Sequence, residues 1–232
     1  MISSTSTILA VGAAGKFAGL VVPALAERGV RVRGLVRDAR QGDAVRKRGA
    51  GEIAIGDLRD GASLDAALKG VDAVFYIAPA FLPDEAEIGK GMVDSAKRAG
   101  VRRFVFSSVI HPILSALGNH AQKAPVEEAL LTSGMEYTFL HPTVFFQNFT
   151  EAWPKIVETG VLAEPWSVDA RFSRVGRISR VSKSDRGPLG RVEGDAHGGV
   201  IQVPSGEFAL ERPRLVPGAQ ERSGSGDQNR TA

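Results

Sequence analysis

The residues with the most chemical potential stand near the start of the chain. In ILAVGAAGKFAG, residues 8–19, an apolar run stops at Gly12, Gly15 follows three positions on, and a helical pattern begins at once. A strand-to-helix turn of small residues lets the backbone approach an anion, which the unpaired N–H groups at the helix's positive end then hold. After the first strand of a strand–helix–strand unit, such a turn suits a dinucleotide pyrophosphate; a purely structural turn is the alternative. The third small position is Ala18 with Gly19 beside it, so a methyl must fit where helix meets strand.

The second strand ends in Leu35-Val36-Arg37-Asp38. An acid at this strand end suits a ribose 2′-hydroxyl, and a guanidinium fork suits a 2′-phosphate. Arg37 comes first, with Lys16 and Arg40 as neighbours, so NADP(H) is favoured over NAD(H). Gly56-Asp57-Leu58-Arg59-Asp60 follows the third strand, where Asp57 and Leu58 suit an adenine edge. Asp57 or Asp60 reads equally well as the cap of the next helix. Glu127 and Glu128 are adjacent on a helix and diverge, which argues against paired-carboxylate catalysis. His111 and His141 each precede a proline and read as ends of strands or turns, while His120 lies three residues before Lys123, a spacing that does not reproduce a tyrosine four positions ahead.

The elements that must position these residues alternate along the first 165. Strands are expected at Thr7–Val11, Val30–Val36, Glu52–Ile55, Val71–Ile77, Arg103–Ser107 and Tyr137–Leu140. Helical patterns lie between them at Gly15–Arg28, Arg40–Arg48, Ser63–Lys69, Glu85–Ala99 and Gln122–Thr132, with a kink expected at Pro23. Six near-continuous apolar strands separated by helices imply right-handed crossovers and a doubly wound parallel α/β sheet. Residues 1–165 are expected to form this domain, and 166–232 an incomplete substrate lobe with an irregular, flexible tail. Residues 171–232 contain 10 Gly and two aromatics, and no sustained period is visible there.

Charge and composition exclude several alternatives. The net charge of +3 resides in the tail, where residues 171–232 carry 11 Lys/Arg against 7 Asp/Glu, so the body offers no basic track for nucleic acid. No apolar run suggests a membrane span, and the uncharged start is unlike a targeting leader. With no cysteine there is no disulfide, thiol nucleophile or thiolate metal site; four scattered His make any metal centre improbable. A reducing cytoplasm is the expected compartment.

GAAGKFAG, VRGLVRD, GDLRD and FVFSS, together with HAQKAPVEEAL and EYTFLHPTVFFQNF, resemble the NmrA-like branch of the atypical short-chain dehydrogenase/reductases over residues 7–172. The resemblance implies that Gly12, Ala14, Gly15, Lys16 and Phe17 surround the pyrophosphate, Arg37 faces the 2′-phosphate, and Asp57 with Leu58 meets the adenine. Ala78 and Pro79 would lie along the cofactor, while Ser107, Ser108, Lys123 and residues 142–148 would frame the nicotinamide end. It further implies an NADPH-dependent oxidoreductase passing hydride to a small quinone-like or carbonyl acceptor, with Lys123 as the ribose-orienting catalytic lysine. In the wider superfamily a tyrosine precedes that lysine by four positions and acts as general acid; here Asn119 stands there. A non-catalytic module that senses NADP(H) and recruits a partner is therefore the alternative. The resemblance stops at Gly176, as if the C-terminal part had been replaced by divergence or a shift of reading frame.

Overall fold

Parallel pairing governs the arrangement. The computed structural model describes residues 6–161 and the backbones of 174–175 and 198–202. In chain order they form β1 (Thr7–Val11), α1 (Ala18–Ala26), β2 (Arg31–Val36), α2 (Gly42–Lys47), β3 (Glu52–Ile55), α3 (Gly61–Ala67), β4 (Ala73–Ile77) and α4 (Glu85–Arg98). Then come β5 (Arg103–Ser107), α5 (Gly118–Ala121), α6 (Ala124–Leu131), β6 (Glu136–His141), β7 (Val144–Phe145), α7 (Phe149–Thr159), β8 (Arg174–Val175) and β9 (Gly198–Gln202). The main sheet runs β3-β2-β1-β4-β5-β6-β9 and every pairing in it is parallel. The chain reverses its direction of winding between β1 and β4, which leaves a crevice at the carboxyl ends of those two strands.

Both faces of this sheet are covered. Along β1, Leu9 and Val11 join a cluster with Val74, Tyr76, Phe104 and Phe106, while Ala10 joins Val22, Val32, Val36 and Val45 on the opposite side. Helices α3, α4 and α6 seal the first face through Leu64, Met92 and Leu130. Close approach of α4 to α6 requires Gly89, because a Cβ there would stand 2.4 Å from a Val126 methyl.

The opposite, amino-terminal edge is tied by one carboxylate. Asp72 accepts the Thr7 N–H at 2.9 Å and pairs with Arg102 at 2.9 Å, while its own carbonyl accepts the N–H groups of Arg102 and Arg103. One residue thereby links the starts of β1, β4 and β5. The Thr7 N–H, with help from Arg102, holds this carboxyl below the ordinary carboxylate range.

Several elements differ from the sequence expectation. The first helix begins at Ala18, not Gly15, because the Gly15 N–H turns back to the Gly12 carbonyl at 2.7 Å and prolongs the turn. Helix α7 has no counterpart in the sequence reading, since Pro154 interrupts its pattern and its apolar Trp153 and Val157 are exposed. In the stretch after residue 170, where no sustained period is visible, β8 pairs with β7 and β9 extends the sheet beside β6. Five residues, two of them glycine, are too short to display a period, and the open edge of β6 supplies the missing partner. The expected boundary at residue 165 and most of the tail lie outside the described residues.

Two measurements check this packing. Gly89→Ala is expected to destabilise by about 1–3 kcal/mol through overpacking. Gly91→Ala on the same helix, where a Cβ meets open space, is expected to stabilise by about 0.5–1 kcal/mol in urea unfolding. Because the folded pKa of Asp72 is lowered, its contribution is present above its unfolded pKa of about 4 and is lost as pH falls through the folded value. Unfolding of Asp72→Asn should therefore be easier than wild type at pH 7, with the gap closing as the pH drops below 4.

Candidate functional site

The glycine turn has the geometry that close approach of a ligand requires. Gly12 has φ +73°, a conformation that favours glycine, and a Cβ at Gly15 would sit 3.0 Å from the Gly12 carbonyl. The methyl of Ala18 fits, lying 3.6 Å from where a Gly12 Cβ would be, and Ala14 packs against the smaller core cluster. At Phe17 the helix starts with no side-chain cap and no acid in its first turn, so its positive end is left unneutralised. Gly19 serves a different contact, because the Arg48 guanidinium crosses it and donates to the Ala13 carbonyl at 2.8 Å. Arg48 thus braces the turn from behind, a role that its place in a basic helix pattern does not reveal.

Two neighbours reach across the crevice from the segment after β6. Lys16 Nζ pairs with Glu151 at 2.8 Å and lies 3.5 Å from the Asn148 side-chain oxygen. The Phe17 ring stacks on Phe145 with centroids 4.2 Å apart. Both residues therefore bridge the turn to β7 and α7.

At the end of β2 the two signs of charge are separated. Asp38 caps the turn at Ala39–Gln41 and is paired with Arg40, whose hydrogen bonds hold the Asp38 carboxyl below the usual range. Arg37 is exposed, and its guanidinium meets no carboxylate among the described residues. Beyond β3 the cap of α3 is Asp60, which accepts the Ala62 N–H at 3.0 Å. That leaves Asp57 exposed, its carboxylate bonded only to the Arg59 N–H among the described residues, with half-buried Leu58 beside it.

The carboxyl ends of β4, β5 and β6 carry the remaining residues. Ala78 is buried and Pro79 exposed after β4; Ser107 and Ser108 are buried at the end of β5. Lys123, only 4% exposed, forms an ion pair with Glu85, which is fully buried at the start of α4. The other Glu85 oxygen accepts the Phe81 N–H at 3.0 Å. In the sequence Glu85 reads as an ordinary first-turn acid; only its burial marks it as different. Four buried polar atoms near these strand ends have no partner among the described residues: Ser108 Oγ, Asn119 Oδ1, Thr143 Oγ1 and Gln147 Oε1. Buried polar atoms are normally bonded, so such orphans after the carboxyl ends of β5 and β6 are compatible with a polar ligand.

Other candidates do not join this group. Tyr76 is walled into the core against Phe104 and Phe106; burial, with the Glu85 charge behind it, pushes its hydroxyl well above the usual phenol range. His120 Nδ1 contacts the His111 carbonyl at 3.0 Å on the surface. His141 pairs with Glu127 at 2.9 Å, tying α6 to the end of β6. A groove of about 320 Å³ between α3 and α4 shares Leu58 with the corner after β3, but its cations Arg59 and Arg98 are paired with Asp84 and Asp65. No three His, Asp or Glu side chains cluster to hold a metal among the described residues.

Strand order, switch-point crevice and glycine turn together define a doubly wound α/β chain of the Rossmann type. The chain belongs to the NmrA-like family, whose model matches residues 4–178. It is 37% identical over 165 residues to the NAD(P)H azoreductase of Xenophilus azovorans, covering 68% of this chain and 55% of that protein. It is 25% identical over 221 residues to quinone oxidoreductase 2 of Escherichia coli K12, covering 94% of this chain and 74% of that protein. Among solved structures, the E. coli NADPH-dependent quinone oxidoreductase complexed with NADPH matches with a TM-score of 0.60 and 26% identity, over 67% of this chain and 55% of that one. Citrobacter sp. triphenylmethane reductase shares the fold with a TM-score of 0.60 at 23% identity, over 68% of this chain and 56% of that one. The chain thus spans little more than half the length of the azoreductase and of both solved structures.

Breaking one partner of the Glu85–Lys123 pair is expected to cost about 3–5 kcal/mol, because the other charge stays buried and unpaired. Replacing both, as Glu85→Leu with Lys123→Met, should recover much of that loss. A double-mutant cycle in urea reads this directly, and additive losses would show that the pair is not coupled.

Proposed function

We propose that this protein binds NADP(H) along the carboxyl edge of the sheet and transfers hydride to a quinone-like acceptor. The observation that carries the reading is the division of labour after β2: Asp38 is consumed by Arg40, while the Arg37 guanidinium meets no carboxylate among the described residues and α1 starts without a side-chain cap. An anion on the glycine turn and a 2′-phosphate against Arg37 suit that arrangement, whereas a ribose hydroxyl seeking Asp38 would have to displace Arg40. The NADPH-complexed relative and the azoreductase support the same cofactor class. Gly12, Ala14 and Gly15 would present backbone to the pyrophosphate, Lys16 and Phe17 would close over it, and Asp57 with Leu58 would hold the adenine. Ala78 and Pro79 would flank the chain of the cofactor, and Ser107, Ser108 and Lys123 its nicotinamide end. Lys123 acts there through its position, since its ammonium is held by Glu85.

The bound nicotinamide supplies the hydride. What the chain lacks near it is a phenol: Asn119 stands four residues before Lys123, Tyr76 is sealed in the core, and Tyr137 lies within β6. Hydride addition to a simple ketone leaves a strongly basic alkoxide that needs a proton from a placed acid. Addition to a quinone leaves a phenolate, whose conjugate acid has a pKa of about 10 and which water can protonate. The absence of a placed phenol at Lys123 therefore favours quinone-like over simple carbonyl acceptors. The same absence is what favours the second reading, a non-catalytic NADP(H)-sensing module.

The test is a titration with NADPH and NADH followed by turnover against a quinone panel. Arg37→Ala is expected to weaken NADPH about 10- to 100-fold, as for loss of a charge-assisted phosphate contact, and to leave NADH nearly unchanged. Equal weakening of both would remove Arg37 from the 2′-phosphate. NADPH binding without quinone-dependent oxidation would select the sensing module.

A further inference from the structure

The turn that follows β4 holds an aromatic residue in a conformation that aromatic residues avoid. Phe81 has φ +67°, and its side chain is 82% exposed, so neither backbone preference nor burial of the ring explains its placement. It is held there from below. Its N–H donates to Glu85, and Glu85 is itself fixed by the buried pair with Lys123. A strained backbone persists where its surroundings over-determine it, and such places gather at ligand sites. The energy retained in this turn keeps a phenyl ring out in solvent at the carboxyl edge, three residues past Ala78.

The neighbouring loop has the same character. Ile113, Leu114 and Leu117 follow β5, the strand beside β4, and are 83%, 46% and 49% exposed. Apolar side chains thus follow two adjacent strand ends, and the Ser108 hydroxyl, without a partner among the described residues, lies at the foot of the second. A flat apolar molecule carrying carbonyl-type acceptors matches this combination: a face for the ring, an apolar rim, and a hydroxyl donor.

Resting on the reading of the protein as a quinone-type reductase, we infer that Phe81 is its acceptor-selecting residue, the ring against which a planar aromatic acceptor stacks. The Glu85–Lys123 pair thereby both anchors the nicotinamide-end lysine and presents the stacking ring. Selectivity follows from shape: two fused rings overlap a phenyl face more fully than one does.

The experiment compares wild type with Phe81→Gly and Phe81→Trp, using NADP⁺-loaded protein and equilibrium dialysis of menadione and of p-benzoquinone. Glycine accepts φ +67° without strain, so Phe81→Gly should be at least as thermally stable as wild type, which removes misfolding as an explanation. It should bind menadione about 3- to 10-fold more weakly, with a smaller change for p-benzoquinone, whereas Phe81→Trp should retain menadione affinity. NADPH affinity should be unchanged in both variants. Equal menadione affinity in wild type and Phe81→Gly overturns the inference, as does a wild type that binds neither quinone. Failure of the broader reading shows elsewhere, as wild-type protein that does not bind NADPH.

Discussion

Everything at the site depends on strands that are all parallel and therefore all end on one side. A parallel sheet can be built only by carrying the chain back across a face between strands, so both faces are buried and the connections leave from the same edge. The β1 turn, the Arg37 and Asp57 corners, the Phe81 turn, Ser107 and Ser108, and the Thr143–Gln147 segment meet along that edge for this reason alone. The opposite edge, where Asp72 ties three strand starts together, is given over to stability.

Within that edge the electrostatics are divided by distance from the core. On the proposed adenine side the charges are exposed, and local pairing decides which remain available: Arg40 neutralises Asp38 and Asp60 caps α3, so Arg37 and Asp57 are spared. On the proposed nicotinamide side a lysine and a glutamate are buried together, each making the other tolerable. A pair of this kind adds little net stability over apolar residues, but it cannot be half removed, and it fixes the ammonium and the strained turn in one geometry. In the proposed reading, the lack of a placed phenol beside Lys123 favours acceptors whose reduced form is a weak base over those that give strongly basic products.

The legibility of the fold varies with the length and buriedness of each element. Thr7–Val11, Glu52–Ile55 and Arg103–Ser107 agree with expectation to the residue, since short apolar runs bounded by Gly or charge have little freedom of register. Helix α7 and strand β9 are hidden: Pro154 and exposed apolar residues mask the period in the first, and the second is five residues whose partner is an edge only the folded sheet creates. Among the proposed site residues, Gly12, Gly15, Arg37 and Asp57 are visible because their types and spacing suggest a chemistry. Arg48, Glu85 and Phe81 are not, because nothing in their spacing says what they touch.

The sequence by itself determined the order of strands β1 to β6 and of the main helices between them, the glycine turn after the first strand, the surplus of basic over acidic groups beyond residue 170, and the absence of a tyrosine four residues before Lys123. These are properties of composition and period, which survive without a third dimension. The tertiary structure decided which charges are spent on one another and which stay available, and which polar atoms are left without partners. It also decided that an exposed phenylalanine is held in a left-handed turn by a carboxylate buried beneath it. Such facts depend on approach between residues up to 135 positions apart, as with Lys16 and Glu151, and a chain specifies that approach only through the packing of everything between them.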